Sequence, residues 1–231
     1  MLGLLGIIVV SWGLLYFFEK KQINALGFTP IKKRFKEFTL GLVIIGVITL
    51  TNIYFATIFK QFEWQINGSF SLTDIGNSFI YHLRSALTED LVFRGAILYI
   101  LIQKIGASKG IWLSAFIFGI YHIFSYGMLN ERIVPIVYIT IVTGLTGYVW
   151  AYTFYKTKSI MMGLGFHLGS NFITTLFYKS QPYGELLFTK VAQIELSEWN
   201  QFYVSLLNGL FPSITTLIIV IFLLKKEIIT P

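Results

Sequence analysis

Glu89, Asp90 and Arg94 stand within TEDLVFRGAIL, residues 88–98, in a stretch that otherwise reads as an apolar helix. Asp90 and Arg94 are spaced i, i+4, so on a helix they share a face and can pair, each offsetting the cost of burying the other. Glu89 points about 100° away from Asp90 around the helix and shares a face with Ser85 and His82. It has no such partner. The chain has three histidines: His82, His122 at the end of SAFIFGIYH, and His167 in GFHLGSNF. Asn171 follows His167 by four residues and faces the same way. His82 reads as a structural histidine near a helix end; His122, His167 and Asn171 join Glu89 as candidates for chemistry.

A carboxylate beside a histidine can hold a water and take its proton as general base, which makes the water a nucleophile. When that water attacks an amide carbonyl, the oxygen becomes anionic. An imidazole N–H with an asparagine NH₂ on the next turn is a suitable donor pair for it. The same residues allow a second chemistry, in which Glu89, His122 and His167 hold a zinc ion with water in the fourth position. Spacing does not separate the two, so no cofactor is assigned and a divalent metal stays open. The absence of H-E-x-x-H excludes a zincin-type site. With no cysteine, the chain has no disulfide framework and no thiolate nucleophile or ligand.

Such groups need helices to hold them. The chain of 231 residues is 55% hydrophobic and 13% charged, where ordinary soluble domains carry roughly a quarter charged residues. It therefore reads as an integral membrane protein. Seven apolar runs reach spanning length, about 17 residues or more: 2–18, 38–59, 75–103, 110–126, 133–155, 159–178 and 202–224. The expected fold is all-α, a polytopic membrane helix bundle of about seven transmembrane helices. Residues 1–231 are expected to form a single integral membrane domain, with its motif-bearing core at approximately 75–178. The segment 179–200 is expected to be the one long polar loop.

Lys20, Lys21, Lys32, Lys33, Arg34, Lys36, Lys104, Lys109, Lys156, Lys158, Lys225 and Lys226 fall on one side of such a bundle, and Lys60, Arg132, Lys179 and Lys190 on the other. Twelve basic residues against four predict the N-terminus out and the C-terminus in. The first run is followed, not preceded, by lysines, so it reads as a retained helix and not a secretory signal. Because the +7 net charge sits in short clusters between apolar runs, nucleic acid is not an expected partner; the lipid bilayer is. In this frame Glu89 lies about 21 Å from the inner end of the third run and His122 about 20 Å from that of the fourth. His167 and Asn171 lie about 12 and 18 Å into the sixth. Ionisable groups at such depth turn toward partners or a wet cavity, so these residues are expected to converge on one pocket. Gly165 and Gly169, a G-x-x-x-G, would let a neighbouring helix come close.

These residues resemble the CPBP intramembrane proteases, also called the Abi or CAAX-protease group, which includes the eukaryotic Ras-converting prenyl-protein protease. That family shows E-E-x-x-x-R, then F-x-x-x-H, then H-x-x-x-N/D on separate helices. The matching residues are Glu89, Asp90 and Arg94; Phe118 and His122; and His167 and Asn171, in the family's order. Phe93 and Gly95 also look typical. Asp90 departs from the pattern, standing where the family usually has a second glutamate. The resemblance spans residues 89–171 and says nothing specific about 1–70 or 179–231.

The resemblance implies a bundle whose core helices enclose a conical cavity. It also implies endoproteolysis of a membrane-associated peptide or protein by a glutamate-activated water, with Glu89, His122, His167 and Asn171 catalytic and Asp90, Arg94 and Phe118 supporting. Bacterial relatives are linked to peptide pheromones, bacteriocin immunity and surface-protein display, and the eukaryotic substrate is a lipidated protein. A composition rich in Ile, Lys and Asn and poor in Pro points to a bacterial cell membrane. Two other classes compete. One is a catalytically idle bacteriocin-immunity or peptide-binding protein of the same fold. The other is a small transporter with Glu89, His122 and His167 as a titrating chain, which the lack of visible repeats or broken helices disfavours.

Overall fold

The computed structural model describes residues 2–192 and 194–225, so Lys226, counted above as an inner charge, lies outside the described residues. The expected all-α class is what the chain adopts. Among the described residues eight α-helices run in the order α1 (Leu2–Glu19), α2 (Ile31–Lys60), α3 (Leu72–Phe93), α4 (Ala96–Ile105), α5 (Ala107–Ser125), α6 (Ile133–Thr157), α7 (Met161–Phe177) and α8 (Glu198–Lys225). Among the described residues five segments are long and apolar enough to cross a membrane: α1, residues 23–60 containing α2, α5, α6 and α8. The helix α7 has 17 residues, and α3 carries Asp74, Arg84, Glu89 and Asp90. Short length in α7 and internal charge in α3 set these two apart from the plain apolar spans.

The third apolar run is not one helix. It ends at Phe93 and restarts at Ala96, because Gly95 has backbone angles of −85° and −130° that no helix continues through. A Cβ at Gly95 would meet the carbonyl of Leu91, so only glycine fits this corner. The expectation of an unbroken helix, and with it the depth of Glu89 measured from residue 103, is corrected. Glu89 lies one turn from the end of α3. At its other end α3 begins on a capped turn, where Ser71 Oγ accepts the Asp74 N–H at 3.3 Å and Asp74 sits in the first turn.

The expected polar loop is also partly ordered. Within it β2 (Phe188–Ala192) pairs antiparallel with β1 (Glu63–Ile66), joining the end of α2 to the end of α7. Apolar patterning hides so short a ribbon, because its faces are packed by aromatics. Trp64 stands edge-on to Phe177 at 5.5 Å, and Phe177 stacks on Phe188 at 4.9 Å.

Small residues set the distances between the site helices. On α7, a Cβ at Gly165 would strike the Phe38 carbonyl of α2, and one at Gly169 would lie 2.5 Å from Ile45 Cγ2. On the α5–α6 seam, a Cβ at Gly119 would be 2.6 Å from the Thr140 carbonyl, and one at Gly147 2.8 Å from the Phe118 ring. The backbones thus approach as closely as G-x-x-x-G packing allows. Pro212 interrupts the ladder of α8, and the carbonyl it frees, that of Asn208, accepts from Asn52 Nδ2 of α2 at 3.0 Å. Arg34, read from sequence as an orienting surface charge, is instead buried. It pairs with Glu37 at 2.8 Å and donates to the carbonyls of Thr29 and Thr157, tying the start of α2 to the end of α6.

Candidate functional site

Three helices bring the singled-out residues to one cavity of about 670 Å³, lined by Glu89 of α3, Phe118 and His122 of α5, and His167 and Asn171 of α7, among others. The helical spacings explain why each pair shares a face: 118 with 122, and 167 with 171. Asp90 and Arg94 do not line this cavity. They stand behind it, each 2% exposed, with Arg94 Nη1 donating to Asp90 Oδ1 at 2.9 Å.

His167 sits between two carboxylates. Its Nδ1 is 3.2 Å from Asp90 Oδ1, within hydrogen-bond reach, and its Nε2 is 3.8 Å from Glu89 Oε2, just beyond it. A carboxylate only accepts, so Nδ1 carries the proton in this contact and Nε2 is the nitrogen turned toward Glu89. The imidazole is fixed from the side by Trp150, whose ring lies 4.5 Å away at 31°. His122 is oriented by its own helix. Its Nδ1 lies 2.8 Å from the Phe118 carbonyl, which can only accept, so neutral His122 presents a free lone pair on Nε2. Glu89 receives one bond on its helix, from Ser85 Oγ at 3.4 Å, and its side chain is 20% exposed.

Behind these residues lies a cationic support. The Arg94 guanidinium is centred 3.8 Å over the Phe118 ring and 4.8 Å from that of Trp150. Its Nε and Nη2 have no hydrogen-bond partner among the described residues, so ring faces and one carboxylate take the place of solvent. Phe118 in turn stands 4.4 Å from His122. The motif phenylalanine therefore links the buried cation to the second histidine by packing alone.

Two features differ from what the sequence suggested. His82, read as a structural histidine, is 7% exposed and lines the cavity, with Nε2 lacking a hydrogen-bond partner. Trp150 was not singled out at all; its signal was a tryptophan in the middle of an apolar run, away from the interfacial positions where tryptophans collect. As for the zinc alternative, no group of three or more His, Asp or Glu side chains is disposed to hold a metal ion among the described residues. Nδ1 of each site histidine is engaged, by Asp90 and by the Phe118 carbonyl, which leaves the two Nε2 atoms available; it is the disposition of the three side chains that departs from a ligand set. As arranged, Glu89, His122 and His167 do not form a ligand set, and no step below runs through a metal.

A part-buried carboxylate and three buried imidazoles thus face one cavity inside a bundle of apolar helices. Residues 71–173, from the cap of α3 into α7, match the family model described as Rce1-like, type II CAAX prenyl endopeptidase. The matched stretch contains every motif residue and leaves α1, α2 and α8 outside. Neither a curated protein nor a solved structure matches the chain.

Proposed function

We propose that this protein is an intramembrane endopeptidase that hydrolyses an amide bond of a membrane-associated peptide or protein. The observation carrying this reading is the shared cavity of Glu89, His122, His167 and Asn171, within a stretch that matches a peptidase family. A water in the cavity can donate one proton to the Glu89 carboxylate and the other to the free Nε2 of His122. As Glu89 takes its proton, the water oxygen bonds to the carbonyl carbon. The developing oxyanion accepts from the Asn171 amide and from His167 when its Nε2 is protonated. Asp90 and Trp150 hold that ring in place. Collapse breaks the C–N bond, and the proton on Glu89 passes to the leaving amine.

The direct test is incubation of the purified protein in detergent with mixed peptides in H₂¹⁸O. Hydrolysis puts one ¹⁸O into each new C-terminal carboxyl, read by mass spectrometry. Intact peptides, with no labelled termini, would remove the peptidase reading. Asn171→Ala is expected to lower kcat by about 10²- to 10³-fold with little change in KM, the usual cost of one oxyanion donor. A raised KM at unchanged kcat would move Asn171 from the oxyanion to ground-state binding.

In the membrane, we read the five long helices together with the α3–α4 segment and α7 as seven crossings of one domain, N-terminus out and C-terminus in. The basic asymmetry supports this orientation. The native chain has no cysteine, so Ser108→Cys gives a clean probe in the α4–α5 connection. It is expected to resist an impermeant maleimide in intact cells and to react after permeabilisation; labelling in intact cells would reverse the topology. The substrate of this reading is a peptide pheromone, a bacteriocin or a lipidated protein, at a bacterial cell membrane.

A further inference from the structure

The part of the cavity wall built by α6 and α8 has a hydrogen-bonding polarity that the reacting residues do not account for. Thr143 and Thr146 of α6 and Ser213 and Thr216 of α8 line it. A hydroxyl has one proton and two lone pairs. Thr143 gives its proton to the Ile139 carbonyl at 2.7 Å, Thr146 to Val142 at 3.0 Å and Thr216 to Pro212 at 2.6 Å. The Thr146 and Ser213 hydroxyls are 2.7 Å apart, and when the Thr146 proton rests on Val142 the donor of this pair is Ser213. In that arrangement all four protons are committed inside the wall. What these oxygens can still offer to the cavity is lone pairs.

Elsewhere the lining holds donors as well, among them Asn171, Tyr126 and Gln181, but the formal charge of the cavity is negative. Glu89 adds a carboxylate, and no Lys or Arg lines it among the described residues. His82 faces the same space with an unpartnered Nε2, and a neutral imidazole always keeps one acceptor nitrogen. Such a wall would strand its acceptors against an isoprenoid or acyl chain. A backbone N–H would use only one of them. A lysine ammonium has three donors and an arginine guanidinium five, and a cation in a membrane cavity needs both several acceptors and a counter-charge to replace its hydration.

Thr146 is one turn along α6 from Trp150, which touches His167, and Thr143 is nearly a turn further. The wall therefore begins about 6 Å along the helix from the reacting groups and reaches about 10 Å. An extended peptide advances about 3.3 Å per residue. The geometry points to a subsite for a lysine or arginine side chain of the substrate, two or three residues from the bond hydrolysed. This inference rests on the peptidase reading and names its substrate class as a basic peptide segment.

The probes are fluorescein-labelled dodecapeptides, paired so that they differ only by Lys or Leu at one position, with that position scanned along the sequence. Each pair is assayed with the purified protein in detergent for kcat/KM and, by anisotropy, for binding. At one position Lys is expected to exceed Leu by about tenfold or more in both, the worth of a charged hydrogen bond. Thr146→Val combined with Ser213→Ala is expected to lower that ratio about tenfold, and Thr146→Ser, which keeps the acceptor, to retain it. A ratio near one at every position, or one that survives the double variant, overturns the subsite, as does binding of neither peptide. Tighter binding of the Lys peptide without hydrolysis of either would support the subsite and sink the peptidase reading alone.

Discussion

Glu89→Gln is expected to reduce hydrolysis by about 10³-fold or more while leaving the protein folded, inserted and able to bind peptide. Positioned proton transfer contributes roughly 10²–10⁴ to such reactions. An amide in place of the carboxylate cannot take the water's proton, yet it keeps the size and the contact with Ser85 Oγ at 3.4 Å. His122→Ala is expected to fail comparably. It removes the free Nε2 that orients the same water and leaves the Phe118 carbonyl, now bonded at 2.8 Å, without that partner. The measurement is kcat on a peptide cleaved by the wild type, with circular dichroism and size exclusion to show an intact fold. If Glu89→Gln retains full turnover, Glu89 is not the base, and a site resting on His122 alone would have to be argued. Loss of turnover with unchanged biological protection would instead favour an idle immunity role.

Much of this site was readable because a helix converts spacing into direction. Residues four apart meet, and Asp90–Arg94, Phe118–His122 and His167–Asn171 are three such pairs. The cost of burying charge made Glu89 conspicuous by its lack of a partner. The corner at Gly95 was not readable, because Ala96–Ile105 continues the apolar run and hydrophobicity does not record backbone direction. The restriction that creates it is a steric contact with Leu91, visible only once the turn exists. The corner also means that a broken helix is present, although the chain shows no repeat that would pair it with a second one, as transporters commonly do. Trp150 and the hydroxyls of α6 and α8 escaped for a different reason. Each is unremarked in its own helix, and only the packing of α6 against α7 and α8 gives it a role. Arg34 shows the converse error, since a positive charge near a helix start was counted as an interfacial anchor when Glu37 had already claimed it.

Asp90→Asn is expected to affect both stability and turnover, because one carboxylate oxygen serves two partners. Asp90 Oδ1 lies 2.9 Å from Arg94 Nη1 and 3.2 Å from His167 Nδ1. Neutralising it leaves the Arg94 cation, 2% exposed, with ring faces and no carboxylate in direct contact, only the more distant Glu89. Breaking a buried pair from one side typically costs about 3–5 kcal/mol, well above the median surface mutation. His167 would also exchange a charged acceptor for a neutral amide oxygen, a weaker hold on which of its nitrogens faces Glu89, so kcat should fall even in the fraction that folds. Removing the cation as well separates these effects. Asp90→Asn with Arg94→Met has no stranded charge and is expected to recover most of the thermal stability. Activity should stay low, because the orientation of His167 is not restored. The coupling between the two positions in a double-mutant cycle is then large and favourable. Additive losses, with the double variant as unstable as the two singles together, would show that Asp90 and Arg94 act independently and that the cation is held by Phe118 and Trp150 alone.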